Sequence, residues 1–233
     1  DGWHFYRTPW TGHVSRVPGV TEWRLMAAIE RRLEKLVEEL QPDLVHAHSP
    51  ALNALPALRV ARRHGLPVIY EVRAFWEDAA VDHGTTRAGS PRYRLTRGLE
   101  SYVLRRVNAV TCICEGLRDD IVARGIPVDR VTVIPNAVDA QRFTFRPPRD
   151  QGLATELGLE GATILGFIGS FYAYEGLDLA LEALPGILSG HPHVKLLLVG
   201  GGPQDANLRE RAHSLGVEHA VVFTGRVPHE QVA

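Results

Sequence analysis

The chain has 233 residues, 45% of them hydrophobic and 23% charged, with a formal net charge of −1. That composition belongs to a folded globular protein with room for one large or two small domains. Near-neutral charge gives no support to general nucleic-acid binding, and no apolar run reaches membrane-spanning length.

The chain opens at Asp1 on a stretch rich in Gly, Pro and aromatics through residue 20, expected as loop or edge strand. Thr21 and Glu22 mark a helix start, and Leu25, Ile29, Leu33, Leu36, Val37 and Leu40 fall on one helical face. Pro42 stops that helix. DLVHAH (Asp43 to His48) is a short strand, Leu52 to His64 a helix ended by Gly65, and PVIYEV (Pro67 to Val72) the next strand. RAFWEDAAVDHGTTRAGSP then reads as a long polar and aromatic loop, a kind of segment that tends to carry function.

Tyr93 to Val107 is a helix with Arg92, Arg94, Arg97, Arg105 and Arg106 on or beside it. AVTCIC is a strand whose two cysteines, Cys112 and Cys114, share a face and are expected as buried reduced thiols. Glu115 to Arg124 is a helix and Arg130 to Pro135 a strand. NAVDAQRFTFRPPRD lacks a period and reads as an interdomain linker.

The stretch from Ala162 to Leu184 holds the strongest local signal. Ala162 to Ile168 is a β-branched apolar run, expected as a buried strand, and Leu177, Leu181 and Leu184 recur at helical spacing. Gly169, Ser170 and Gly176 lie between. A strand ending in Gly before a helix turns free N–H groups and a positive dipole end toward one spot, which suits a phosphate. VKLLLVGGGP is a further strand running into Gly200, Gly201 and Gly202; a helix (Gln204 to Leu215) and a last strand in AVVFTGRVP follow. Strand and helix alternate throughout, so the fold class is α/β with parallel sheets, in two blocks divided near Phe145 (1–145 and 146–233). Ligands of such sheets bind beyond the carboxyl ends of the strands.

Five segments together resemble the retaining glycosyltransferases of the GT-B fold, family 4 (group 1): DLVHAHSP, AVTCICEGLRDDI, VIPNAVDAQRF, the pair GFIGSFYAYEGLDLALEAL with VKLLLVGGGP, and VVFTGRVPHEQV. GSFYAYEGLDL is similar to the subgroup that builds bacterial exopolysaccharides. The resemblance implies two Rossmann-like domains facing across a cleft, an acceptor-side domain followed by a nucleotide-sugar domain. It also implies that both are incomplete here, the family's first strand preceding Asp1 and a pair of glutamates following Ala233.

The resemblance carries Gly169 and Ser170 over as the diphosphate turn, Gly200, Gly201 and Gly202 as the loop beside the nucleotide, and Arg226 and Val227 as lining of the base pocket. The family's usual Arg and Lys are replaced by Ser170 and Glu175, so Arg226 is a candidate source of the missing positive charge. On the acceptor side, His48 and Arg73 are candidate catalytic residues, with Glu71 and Trp76 beside them. Each has a plainer reading: a strand histidine is more often a packing residue, an Arg–Glu pair in a loop is often only an ion pair, and a GGG run can be a tight turn. No metal ligands and no tightly bound cofactor are implied, the nucleotide-diphosphate sugar being a substrate. The implied partners are that donor and a saccharide or polyprenyl-linked acceptor, with no nucleic acid. A cytoplasmic location is expected; the Arg-rich segment 87–106 would suit the inner face of a membrane and a lipid-linked acceptor, against the favoured plainer reading of a solvated helix. Against the transferase stand a sugar-nucleotide epimerase of the same architecture and a non-catalytic GT-B-like interaction protein, the latter favoured by the missing cations.

Overall fold

The computed structural model describes residues 4–9, 14–17, 19–139, 141 and 148–228. Contacts divide the chain into two units, Asp1–Ala137 and Val138–Ala233. Much of the expected linker (residues 142–147 with 140), the Phe145 junction and residues 229–233 lie outside the described residues.

The first unit begins with α1 (Val20–Leu40), entered from Gly19 at φ 81 and closed by Gln41 in the left-handed region just before Pro42. Of its expected apolar face only Val37 is fully buried, and Leu33 packs on the core, whereas Leu25 and Leu40 are exposed. Carboxylates therefore complete its docking. Glu30 pairs with Arg59 at 3.1 Å and with Arg63, and Glu34 pairs with Arg63 and, at 2.7 Å, with His64.

Those partners lie on α2 (Ala51–His64), which follows β1 (Val45–His48). Ala51, Ala54, Ala57 and Ala61 line its inner face with Val60, and small side chains at helical spacing let the helix lie close on the sheet. Gly65 ends it at φ 68, in the conformation that glycine adopts without a Cβ penalty. β2 (Val68–Val72) comes next.

The expected loop after β2 contains a helix instead. α3 (Trp76–Asp82) forms there because Glu77 is drawn inward, its carboxylate 2.7 Å from the buried Arg124 guanidinium. α4 (Pro91–Arg106) starts where Ser90 Oγ accepts from the Tyr93 N–H and Pro91 takes the first helical position. β3 (Ala109–Cys112), α5 (Glu115–Ala123) and β4 (Val131–Val133) complete the unit. Cys112 is buried, but Cys114 has left the strand to precede α5 and is exposed, which corrects the expectation of two buried thiols.

The four strands are parallel, in the order β1-β2-β3-β4. The connecting helices pack on one face of the sheet. That face is apolar: Ala47, Tyr70, Val72, Val110, Cys112 and Val131 pack with α2, Leu104 of α4 and Ile121 of α5. The other face carries His46, His48, Glu71, Thr111 and Thr132. His48, Glu71, Thr111 and Thr132 are successive register partners, a polar row across the sheet at its carboxyl end.

The second unit opens with α6 (Gln151–Glu156), absent from the periodicity reading and capped by Asp150, whose carboxylate accepts from the Leu153 N–H at 3.0 Å. β5 (Thr163–Ser170), α7 (Leu177–Gly190), β6 (Val194–Gly201), α8 (Asp205–Ser214) and β7 (Val221–Gly225) follow. The strands are parallel in the order β5-β6-β7. Leu177, Leu181 and Leu184 of α7 meet Leu196 and Leu198 of β6, Leu208 and Ala212 of α8, and Phe171. β5 is not the buried strand expected. Among the described residues it pairs with β6 alone, Ile164, Leu165 and Ile168 are exposed, and Phe167 is its one side chain against the core.

Candidate functional site

Two clusters of the residues named from sequence form, one at the carboxyl end of each sheet.

In the first unit the register sets Glu71 beside His48. His46 and His48, two apart on β1, point the same way and stack, with ring centroids 4.9 Å apart and planes 17° from parallel. The Glu71 carboxylate meets both, with Oε2 3.2 Å from His46 Nε2 and Oε1 3.6 Å from His48 Nδ1. Arg73 joins from the strand end. Its guanidinium donates to Glu71 Oε1 at 3.3 Å and to Asn136 Oδ1 at 3.2 Å, and its backbone N–H donates to Ser49 Oγ. His48, Glu71 and Arg73 are thus brought together. Trp76, at the start of α3, is half exposed. His46, Glu71, Thr111 and Asn136 line a cleft of about 280 Å³. Asn136 escaped the sequence reading as a site residue although it sits in the VIPNAVD motif. Its signal was that motif, but nothing in the spacing says it reaches back to Arg73.

Beneath this cluster lies a polar network without a sequence signature. Glu100, on α4 and fully buried, accepts from the Ala51 N–H at 2.8 Å through Oε1 and from the Tyr70 hydroxyl at 2.6 Å through Oε2. Burial pushes its carboxyl up, against the lowering effect of those two donors. It ties the first turn of α2 to β2, next to the strand ends that carry His48 and Glu71. Arg124, the partner of Glu77, stacks over Phe75 at 3.4 Å, which holds the start of α3 and with it Trp76.

In the second unit Gly169 pairs with Gly200 and Ser170 with Gly201. The glycines have a reason of their own. A Cβ on Gly200, at φ 137, would overlap the Gly169 carbonyl, and one on Gly202 would stand 2.7 Å from the Phe171 N. Gly201 is different: its open side faces the Arg226 side chain, with Cγ 3.6 Å and Nε 3.8 Å from where a Cβ would lie. Gly169, Ser170, Gly201 and Arg226 therefore share one corner, with Val227 next in the chain and half-buried. The helix does not open directly from that turn, as expected from sequence. β5 runs on through Ser170, a buried Phe171 and a 3₁₀ turn (Ala173–Glu175) follow, and α7 starts after Gly176 at φ 69. The dipole end of α7 belongs to Gly176 and Leu177, not to Gly169.

Two Rossmann-like α/β units, each with polar residues gathered where its strands end, define a GT-B-type glycosyltransferase fold. Solved structures agree: the chain superposes on Anabaena Alr3699/HepE in complex with UDP with a TM-score of 0.69 at 18% identity, covering 88% of this chain and 53% of that one. Residues 4–142 match the model of Glycosyltransferase Family 4 and residues 154–233 that of Glycosyl transferases group 1, and the chain belongs to this family. It is 31% identical over 216 residues to the 2-deoxystreptamine N-acetyl-D-glucosaminyltransferase of Streptomyces fradiae, covering 89% of this chain and 50% of that protein. It is 28% identical over 224 residues to the 2-deoxystreptamine glucosyltransferase of Streptomyces kanamyceticus, covering 94% and 57%. The chain thus spans about half the length of the curated relatives it matches.

Proposed function

We propose that the protein is a glycosyltransferase that moves a sugar from a nucleotide-diphosphate donor to a saccharide or lipid-linked acceptor, with retention of configuration, in bacterial polysaccharide assembly. The observation that carries this reading is the corner formed by Gly169, Ser170, Gly201 and Arg226, taken with family membership and the transferase names of the relatives.

Breaking the glycosidic bond sends negative charge onto the departing diphosphate, and a site that stabilises that charge accelerates the step. In this chain the family's usual cations are absent from positions 170 and 175. Arg226 lies over Gly201 and supplies a guanidinium, a planar donor suited to phosphate oxygens, and the Ser170 hydroxyl adds a neutral one. Gly201 leaves room for the Arg226 side chain, with Asp205 Oδ2 3.9 Å from where its Cβ would lie, and Val227 offers apolar surface to the base. On the acceptor side Glu71 and Asn136 hold the Arg73 guanidinium in place. Arg73 and His48 then face the reacting groups as cation and hydrogen-bonding partner, and Trp76 offers a ring on which a sugar stacks.

The same reading puts the protein in the cytoplasm, with the Arg-rich segment 87–106 toward a membrane surface. Arg92, Arg94 and Arg97 are exposed near Leu95 and suit anionic headgroups, whereas Arg105 donates to the Arg124 carbonyl and Arg106 stacks on Tyr102. No helix among the described residues is long and apolar enough to cross a membrane. One observation favours a second reading, a non-catalytic relative: Glu175, near where the resemblance implies a lysine, is an exposed carboxylate.

Labelled sugar nucleotides incubated with the protein and a panel of saccharide and polyprenyl acceptors separate these. Label in an acceptor with the donor's anomeric configuration supports the proposal. Label in an epimerised nucleotide sugar points to an epimerase, and failure to bind any donor points to an interaction protein.

A further inference from the structure

We propose that His46, His48 and Glu71 form an open, three-ligand site for a divalent transition-metal ion of the zinc class. The ligand atoms of these three residues all lie within 4.8 Å of one another. Their arrangement is one that zinc chemistry favours: two imidazoles two apart on one strand face and a carboxylate from the adjoining strand, leaving a fourth position open. Three features support it. The stacked rings turn one nitrogen each to the same carboxylate, so no large rearrangement gathers the ligands. Both imidazoles are about half exposed (42% and 53% for the side chains) while Glu71 is largely covered at 18%, which leaves an entry path from solvent. The Thr111 hydroxyl, register partner of Glu71 in the adjoining cleft, is buried with no hydrogen-bond partner among the described residues. It suits an oxygen ligand in the fourth position.

The proposal does not rest on the transferase reading and makes the ion no step in sugar transfer. Its consequence concerns Arg73. The guanidinium already pairs with Glu71, so the ion and Arg73 compete for one carboxylate, and an ion in place leaves Arg73 with Asn136 and solvent. A second group, Glu34, Glu38 and His64, also has ligand spacing, but Arg63 already holds Glu34 there.

Calorimetric titration of the metal-free protein with zinc, and with cobalt followed by its visible absorption, tests the site. One ion per chain is expected. His46→Ala and His48→Ala, both at exposed side chains, should each weaken binding by more than the roughly 10–100-fold that loss of a supporting hydrogen bond costs. Glu71→Gln should do the same, His64→Ala should leave binding unchanged, and Arg73→Met should tighten it by removing the competing cation. No binding of either ion, or binding that survives in His46→Ala or weakens in His64→Ala, overturns the proposal.

Discussion

The backbone of Gly200 approaches the carbonyl of Gly169 so closely that no side chain fits between the two strand ends. At φ 137 it also lies where L residues are strained. Gly200→Ala should therefore destabilise the second unit by about 3 kcal/mol or more, read as a lowered urea midpoint. Gly201→Ala meets only ordinary contacts at 3.6 Å and beyond and should cost no more than about 1 kcal/mol. Equal effects at the two positions would contradict this packing.

The Glu77–Arg124 pair is removed from water on both sides, with side-chain exposures of 0% and 3%. Truncating one partner leaves the other charge buried and uncompensated. Glu77→Ala should cost about 3–5 kcal/mol in chemical denaturation. Glu77→Leu combined with Arg124→Met should recover much of that loss, because the desolvation cost disappears with both charges.

Glu100 gives the first unit a pH dependence with a definite sign. Its carboxyl is raised above the ordinary 4.5, chiefly by burial. The folded protein therefore holds a proton that the unfolded chain gives up first. The stabilisation is complete below about pH 4.5 and fades as pH climbs from there through the raised folded value. Glu100→Gln keeps an acceptor for the Ala51 N–H without the ionisation, and its amide NH2 donates to the Tyr70 hydroxyl in place of accepting from it. Denaturation series across that window should show the wild type losing ground to the variant as pH rises.

Arg226 is the guanidinium proposed for the donor diphosphate. Arg226→Ala should weaken UDP binding about 10–100-fold, the worth of a charge-assisted hydrogen bond, and Ser170→Ala by less than about tenfold. Calorimetry with UDP reads both. Unchanged affinity in Arg226→Ala would move the neutralising charge elsewhere.

Much of this architecture was legible because period and punctuation agreed. The apolar runs at Val68–Val72 and Val194–Gly201 and the leucines of α7 have single solutions, and Gly65 and Gly176 end or open helices as their residue type suggests. Errors arose where a distant partner decides local structure. α3 exists because Arg124 pulls Glu77 inward, a contact across 47 positions that no local window holds. β5 is apolar like a central strand but has one strand neighbour among the described residues, and sequence shows hydrophobicity and not neighbours. His46, His48, Glu71 and Arg73 were visible singly. Their meeting depends on strand register, which sets Glu71 beside His48, and Asn136 enters only through β4 lying next to β3.

β5 donates and accepts along β6 on one side, and its other side carries no strand among the described residues. The amide and carbonyl groups of alternate β5 residues point to that side, and with the bare Ile164, Leu165 and Ile168 they form a template on which another polypeptide strand lengthens the sheet. Handled alone, these 233 residues should pair edge to edge as concentration rises, and a lysine in place of Leu165 should keep them dispersed.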